Sequence, residues 1–302
     1  MKRIIVIDGC SANIIFPSSV KELPVPSRTI AGGRLMKAAM LLGSTGHNVE
    51  MMGEAGRDPL GDILVGFLRQ SGVNTDCVDR YSDGASTPSI LVFPSEIPEA
   101  QPRSVVYRVE MAERWDSRWP RIDAGDIVLF GGYFALQQRV RPLLLDFLEN
   151  ARQRKALIVN MPGFNPALAP AVTRVMPSLL ENLECSDVVM TASPDLLHIF
   201  GTDDASKCFH DKIGFYSPMM LNLEPVSGTI TLMRRGDVIT RQGRPDVTPH
   251  YPILSGMTLA AFIDALIQTD INAETLPSLP LSVLENIALL TANCSLSSNI
   301  IL

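Results

Sequence analysis

No stretch of this chain approaches the roughly 18 consecutive apolar residues of a membrane-crossing helix, and the opening MKRIIVIDGC carries only a short apolar run. A secretory signal needs a longer one, so the opening reads as a buried first strand. Positive charge is also scarce. Lys and Arg number 26 against 32 Asp and Glu, for a net charge of −6 and an isoelectric point near 5.3. Nucleic acid and anionic membranes select a basic face, so neither is an expected partner. Cysteine is sparse: Cys10, Cys77, Cys185, Cys208 and Cys294 are odd in number and scattered, with no C-x-x-C pair. That pattern speaks against a disulfide framework, and free thiols in a reducing cytoplasm are the expectation. His47, His198, His210 and His250 lie far apart without metal-ligand spacing, so no metal site is expected from them. Also missing are a G-x-S-x-G elbow, a Walker lysine and a G-x-G-x-x-G turn after the first strand.

What the chain does have is 46% hydrophobic and 19% charged residues over 302 positions, the balance of an ordinary globular protein. Apolar runs at residues 3–7, 126–130 (DIVLF), 156–160 (ALIVN), 187–190 (DVVM) and 228–233 (GTITLM) read as buried strands. Helical periodicity falls between them at 34–42, 61–70, 140–153, 194–200 and 256–268. This alternation predicts an α/β protein of three layers, a mostly parallel central sheet covered on both faces. Two stretches break the rhythm: residues 14–29 are rich in Pro and Ser, and residues 89–109 alternate like a hairpin with a long polar turn. With no repeat or linker to divide the chain, residues 1–302 are expected to form a single domain carrying these two excursions.

Residues 32–78 run GGRLMKAAMLLGSTGHNVEMMGEAGRDPLGDILVGFLRQSGVNTDCV. In ungapped register they follow GG…A…G-x-x-V-x-x-x-G-x-x-G-x-D-x-x-G…L-x-x-x-G-V, with Gly53, Gly56, Asp58 and Gly61 all in place, and Thr87-Pro88 follows further on. On these residues the chain resembles the ribokinase-like, or phosphofructokinase-B type, carbohydrate kinases. The resemblance implies the ribokinase-like α/β/α fold, with the excursions at 14–29 and 89–109 forming a small β-sheet lid over the cleft. It implies ATP and Mg²⁺ as cofactors, a sugar or nucleoside hydroxyl as acceptor, and for many members a homodimer through the lid.

The same resemblance says where the chemistry should sit. The family's substrate-binding Asp, five residues after the glycine that closes the first strand, becomes Ile14, with Asn13 beside it. Gly32 and Gly33 persist, and glycines there let backbone approach a ligand closely. The Asn four residues later is Lys37, a donor-only side chain that with Arg34 suits an anion better than a neutral polyol, unless it is a solvated helix charge. The family's anion hole and catalytic Asp, read from G-A-G-D at a helix start, become Leu254-Ser255-Gly256-Met257. Backbone donors at a helix N-terminus do not depend on side chains, but Met257 cannot accept a proton. Losing a general base costs on the order of 10² to 10⁴ in rate. Asp264, Asp58 and Glu110 are the carboxylates weighed as replacements. The N-x-x-E metal motif falls on Ser193-Pro194-Asp195-Leu196, which also reads as a helix cap with an acidic first turn. Two functions follow: a phosphotransferase that Met257 leaves weak or inactive, or a non-catalytic small-molecule-binding protein, a sensor or subunit partner, on the kinase fold. An unrelated Rossmann-type enzyme lacks its glycine fingerprint.

Overall fold

The apolar run near the start becomes β1 (Arg3–Gly9), whose five central residues are buried. The computed structural model describes residues 2–17, 24–81, 85–94, 103–107, 115–164, 171–243 and 251–293. After β1 come two short strands, β2 (Ala12–Ile15) and β3 (Arg28–Ala31), then the helix α1 (Arg34–Ser44). The matched motif next gives β4 (Asn48–Gly56), α2 (Pro59–Gln70) and β5 (Val73–Tyr81). Residues 89–109 supply β6 (Ser89–Phe93) and β7 (Arg103–Tyr107), paired antiparallel as a hairpin should be. A βαβ series follows: β8 (Ile127–Gly131), α3 (Arg141–Gln153), β9 (Leu157–Met161), α4 (Val172–Glu184), β10 (Val188–Ala192), α5 (Ser193–Phe200), α6 (Ala205–Asp211) and β11 (Met219–Glu224). The chain closes with β12 (Thr229–Arg234), β13 (Asp237–Gln242), α7 (Tyr251–Gln268) and α8 (Leu281–Asn293).

The main sheet has nine strands in the order β13-β12-β11-β10-β9-β8-β1-β4-β5. The seven from β5 to β11 run parallel, as unbroken apolar strands with crossover helices should. Alternate residues feed two faces. Leu157, Val159, Val188 and Met190 pack with α1, α2, α7 and α8 on one side. Ile158 and Val128 pack with α3, and Val189 with α5 and α6, on the other. The second sheet, β3-β2-β6-β7, is the small lid expected at the two excursions. Residues 18–23, 95–102 and 108–109 of those excursions, with Glu110, His250 and Cys294, lie outside the described residues.

Three readings change. The run at 228–233 is antiparallel to its neighbour β11, because the turn joining the two strands is far too short for the crossover that parallel pairing needs. Strands β4, β5, β11 and β13 and helices α4, α6 and α8 join the expected set. Helix α7 starts at Tyr251 rather than Gly256, which its second residue, Pro252, allows because proline is accepted in a first helical turn.

The close pairing of β1 and β4 depends on Gly53, opposite Asp8, where an added Cβ would fall 2.0 Å from the Asp8 carbonyl oxygen. Gly66, inside α2, has open space around it. Gly53→Ala should therefore cost about 3 kcal/mol by overpacking, whereas Gly66→Ala should gain about 0.5–1 kcal/mol. Urea denaturation midpoints of the two variants check both signs.

Candidate functional site

The parallel strands end on one edge of the sheet, the edge at which α/β folds hold ligands, and the first turn of α1 lies across it. Gly32 donates to the Ser11 carbonyl at 2.7 Å, and Gly33, at φ 77°, takes the N-cap position with no side chain to offer. Asp8 of β1 fills that role. Its carboxylate accepts the N–H of Gly9 at 2.9 Å and the N–H of Met36, in the first turn of α1. Burial pushes the Asp8 carboxyl up from 3.8 to about 7, against the pull of those two donors. Sequence reasoning passed over this residue. The available signal was an acid at the penultimate position of the first parallel strand.

From the same turn Arg34 grips Asp195 with both guanidinium nitrogens, one contact measuring 3.0 Å. Asp195, fully buried, also accepts from Ala192 N–H at 3.2 Å at the start of α5. Because α1 and α5 cover opposite faces of the sheet, the pair reaches over the strand ends and ties the two helical layers together. The expected cap is thus present, with Ala192 rather than Ser193 at the N-cap.

Lys37 lies one turn deeper and has no exposed surface, so it is not a solvated helix charge. Its Nζ has no hydrogen-bond partner among the described residues. Burial first, and the charge of Arg34 second, bring its amine down from 10.5 to about 8. The stem is covered by Gly256 of α7, where an added Cβ would stand 3.1 Å from Lys37 Cβ and 2.9 Å from the Arg34 carbonyl. Met257 is next along and packs against the main core. Asn13 of β2 pairs with Ile30 and Ile90 in the lid, and its Oδ1 is buried with no partner among the described residues; Ile14 follows in the same strand.

On the opposite face, Asn160 of β9 has both amide atoms buried, with no partner among the described residues. Beside it Thr191 donates to Asn222 at 3.0 Å, and Asn222 donates to Ser193 at 3.1 Å.

The structure therefore gathers Gly32, Gly33, Lys37 and Gly256 around the α1–α7 contact. It treats the expected anion hole differently. With α7 beginning at Tyr251, residues 255 and 256 sit in the second turn, where helix geometry commits their N–H groups to carbonyls one turn earlier. Leu254 belongs to the first turn of the same helix.

Of the carboxylates weighed as replacement bases, Glu110 lies outside the described residues, and Asp58 and Asp264 are engaged. Asp58 accepts from Gly61 N–H at 2.7 Å, Thr87 N–H at 2.6 Å and Thr87 Oγ1 at 2.9 Å. Burial raises its carboxyl and these donors outweigh it, so it titrates below its ordinary range. Gly56, Asp58, Gly61 and Thr87, four of the matched motif residues, form one unit that holds the start of α2 to the lid entrance. Asp264 lies 3.0 Å from His47 and accepts from Gln268 at 2.7 Å. Among the described residues no group of three His, Cys, Asp or Glu side chains is placed to hold a metal. Mg²⁺ in phosphoryl transfer is held by nucleotide phosphates and a few carboxylates, and Asp195, one position out of register with the N-x-x-E motif, is bound to Arg34. The described residues do not fit that role. Gly228, at φ 73°, makes the turn of the β11–β12 hairpin. Trp115 packs edge-on against Phe134 and Trp119 against Phe147.

Comparison with known proteins places this arrangement. The chain matches the pfkB family carbohydrate kinase domain over residues 1–213, well over half its length, and it belongs to that family. A probable fructokinase-4 of Arabidopsis thaliana is 23% identical over 176 residues, 57% of this chain; the match spans about half, 53%, of that relative's length. The crystal structure of a fructokinase from Xylella fastidiosa superposes with a TM-score of 0.75 at 18% identity, covering 97% of this chain and 93% of that one. A Vibrio cholerae fructokinase, crystallised with fructose, ADP and calcium, gives a TM-score of 0.74 at 12% identity, covering 99% and 92%.

Two outcomes follow from this geometry. Replacing Arg34 by Met leaves the Asp195 carboxylate buried without its cation and should cost about 3–5 kcal/mol; replacing both partners by apolar residues should recover most of that in urea titrations. Asp8 titrates higher folded than unfolded, so its contribution is complete below pH 3.8 and is lost as pH rises through about 7. Stability should therefore fall across that window, and Asp8→Asn should flatten the fall.

Proposed function

We propose that this carbohydrate-kinase-family chain binds a sugar or nucleoside in the cleft under its lid, and that its ATP-dependent transfer to a hydroxyl is weak or lost. The observation that carries the reading is Met257 at the base position, with Asp58, Asp195 and Asp264 each held in a structural contact. The fructose and ADP in the Vibrio cholerae structure favour a ketose and an adenine nucleotide as first candidates. A non-catalytic sensor or subunit partner is the form this protein takes if turnover is absent altogether. The orphaned Asn13 and Asn160 amides favour a hydroxylated ligand in either case.

A second, active reading rests on Asp8, a carboxyl at the ligand edge brought near neutrality, where a general base works best. Against it, Gly9 and the first turn of α1 already use its oxygens. The free thiols Cys10, Cys77, Cys185 and Cys208 suit a cytoplasmic protein. Association through the lid, whose edge strand β7 exposes Tyr107, completes the proposal.

The test is ADP release from Mg-ATP across sugars, sugar phosphates and nucleosides. No substrate-dependent release above the background ATPase rate is expected. Turnover in the wild type would overturn the reading, and a pH profile with an inflection near 7 that Asp8→Asn removes would name the base. In the Met257→Asp variant, a gain of about 10²-fold would mean that the base alone was missing.

A further inference from the structure

A primary amine without exposed surface and without a hydrogen-bond partner destabilises the fold that keeps it. Lys37 is such an amine, and α1 puts it there. It follows Arg34 by three residues on one helix face, and long helical side chains lean back toward their own N-terminus. Here that is the end of α1 resting on Ser11 and Asp8. Gly256 lets α7 close over the stem.

Among the described residues, the surroundings supply no counter-charge. Arg34 is itself cationic and is spent on Asp195. Asp8 accepts backbone N–H groups at the start of α1. From Ser255 to Ile263, α7 carries no ionisable side chain. The strands beneath α1 present Val49, Met51, Ile127 and Leu129, and α2 presents Leu64, Val65 and Leu68.

Two further buried polar groups have no partner among the described residues, Asn13 Oδ1 in the small sheet and the Asn160 amide on the other face of β9. Amides need both donors and acceptors, which hydroxyls provide; an ammonium needs an acceptor and is best served by an anion. We infer that the ligand of this cleft carries an oxyanion, a phosphate or a carboxylate, on a hydroxylated skeleton, and that the Lys37 ammonium is its counter-charge. This rests on the small-molecule reading above and adds the ligand's charge to it.

Proton linkage supplies a signature. The amine titrates at about 8 without a ligand, and a bound anion raises it. Above that pH the complex takes up a proton as it forms, and affinity falls as pH rises further.

The experiment is calorimetric titration of the full chain with a ketose phosphate, the matching sugar acid and the uncharged ketose. It is run near pH 9 in two buffers of different ionisation heat. One anion should bind about 30-fold or more tighter than the uncharged sugar, taking up as much as one proton; which anion does so separates phosphate from carboxylate. Lys37→Met and Lys37→Gln should abolish both the preference and the uptake. Both should melt at higher temperature than the ligand-free wild type, since each removes a lone buried charge. Equal affinity for the uncharged ketose, or an anion preference unchanged in both variants, overturns the inference and leaves the small-molecule reading standing. Failure of all three ligands to bind overturns it too, and if Mg-ATP also leaves the melting temperature unmoved, that reading falls with it.

Discussion

Helix α1 is buried along nearly its whole length, from Leu35 to Gly43, and that burial sets the terms for everything at the ligand edge. A helix enclosed this way must be approached closely by its neighbours. Glycine grants the approach at both ends: Gly43, where a Cβ would meet the Ser71 carbonyl at 2.4 Å, and Gly256, where it would meet the Arg34 carbonyl at 2.9 Å. A buried helix also cannot leave its first N–H groups to water. Gly33 cannot cap them, so a carboxylate from β1 does, and Asp8 becomes an acid held near neutrality as a consequence of helix packing.

The same turn carries the clamp between layers. Desolvating an arginine and an aspartate is costly, and a pair so buried is weak support for stability taken alone. What it fixes is geometry: α1 on one face and α5 on the other are held in one relation over the strand ends. Asp58 acts similarly between α2 and the lid entrance. Both acidic groups are directed at the protein itself, Asp195 at Arg34 and Asp58 at Gly61 and Thr87.

Much of this was legible in the sequence. Continuous apolar strands and periodic helices are long-range patterns that survive substitution, and the GG…G-x-D-x-x-G spacing marks close approaches that only glycine permits. The sense of β12 was not legible, because an apolar strand reads alike in either direction and only the short turn after β11 decides it. The start of α7 escaped because the family's pattern places it at Gly256, whereas Tyr251-Pro252 can begin a helix equally well. Lys37 was undecidable: apolar neighbours suggested burial and its charge suggested water. Its location depends on Gly256, more than two hundred residues away, making it a tertiary fact that local pattern does not contain. Asp8 was missed for the same reason, since its role is to cap a helix that begins twenty-six residues later.

The two departures at the heart of the site bear on one another. Where the resemblance implies Asn and Asp, this chain has Lys37 and Met257, and α7 touches Lys37 at Gly256, the residue immediately before Met257. One change adds a positive charge on α1 and the other removes a negative charge from α7, so the edge of a chain with net charge −6 becomes locally more cationic by two. Each change alone would alter chemistry; together they alter what the cleft attracts. An acid at 257 would stand one residue from the Lys37 contact and would tend to pair with that ammonium, an arrangement that satisfies both charges and leaves neither a good base nor a good anion receptor. With Met257 in place the ammonium keeps its unmet demand. On the proposed reading, the missing acid at 257 and the added cation at 37 are one electrostatic change rather than two independent ones, and a cleft altered in this way suits a negative group.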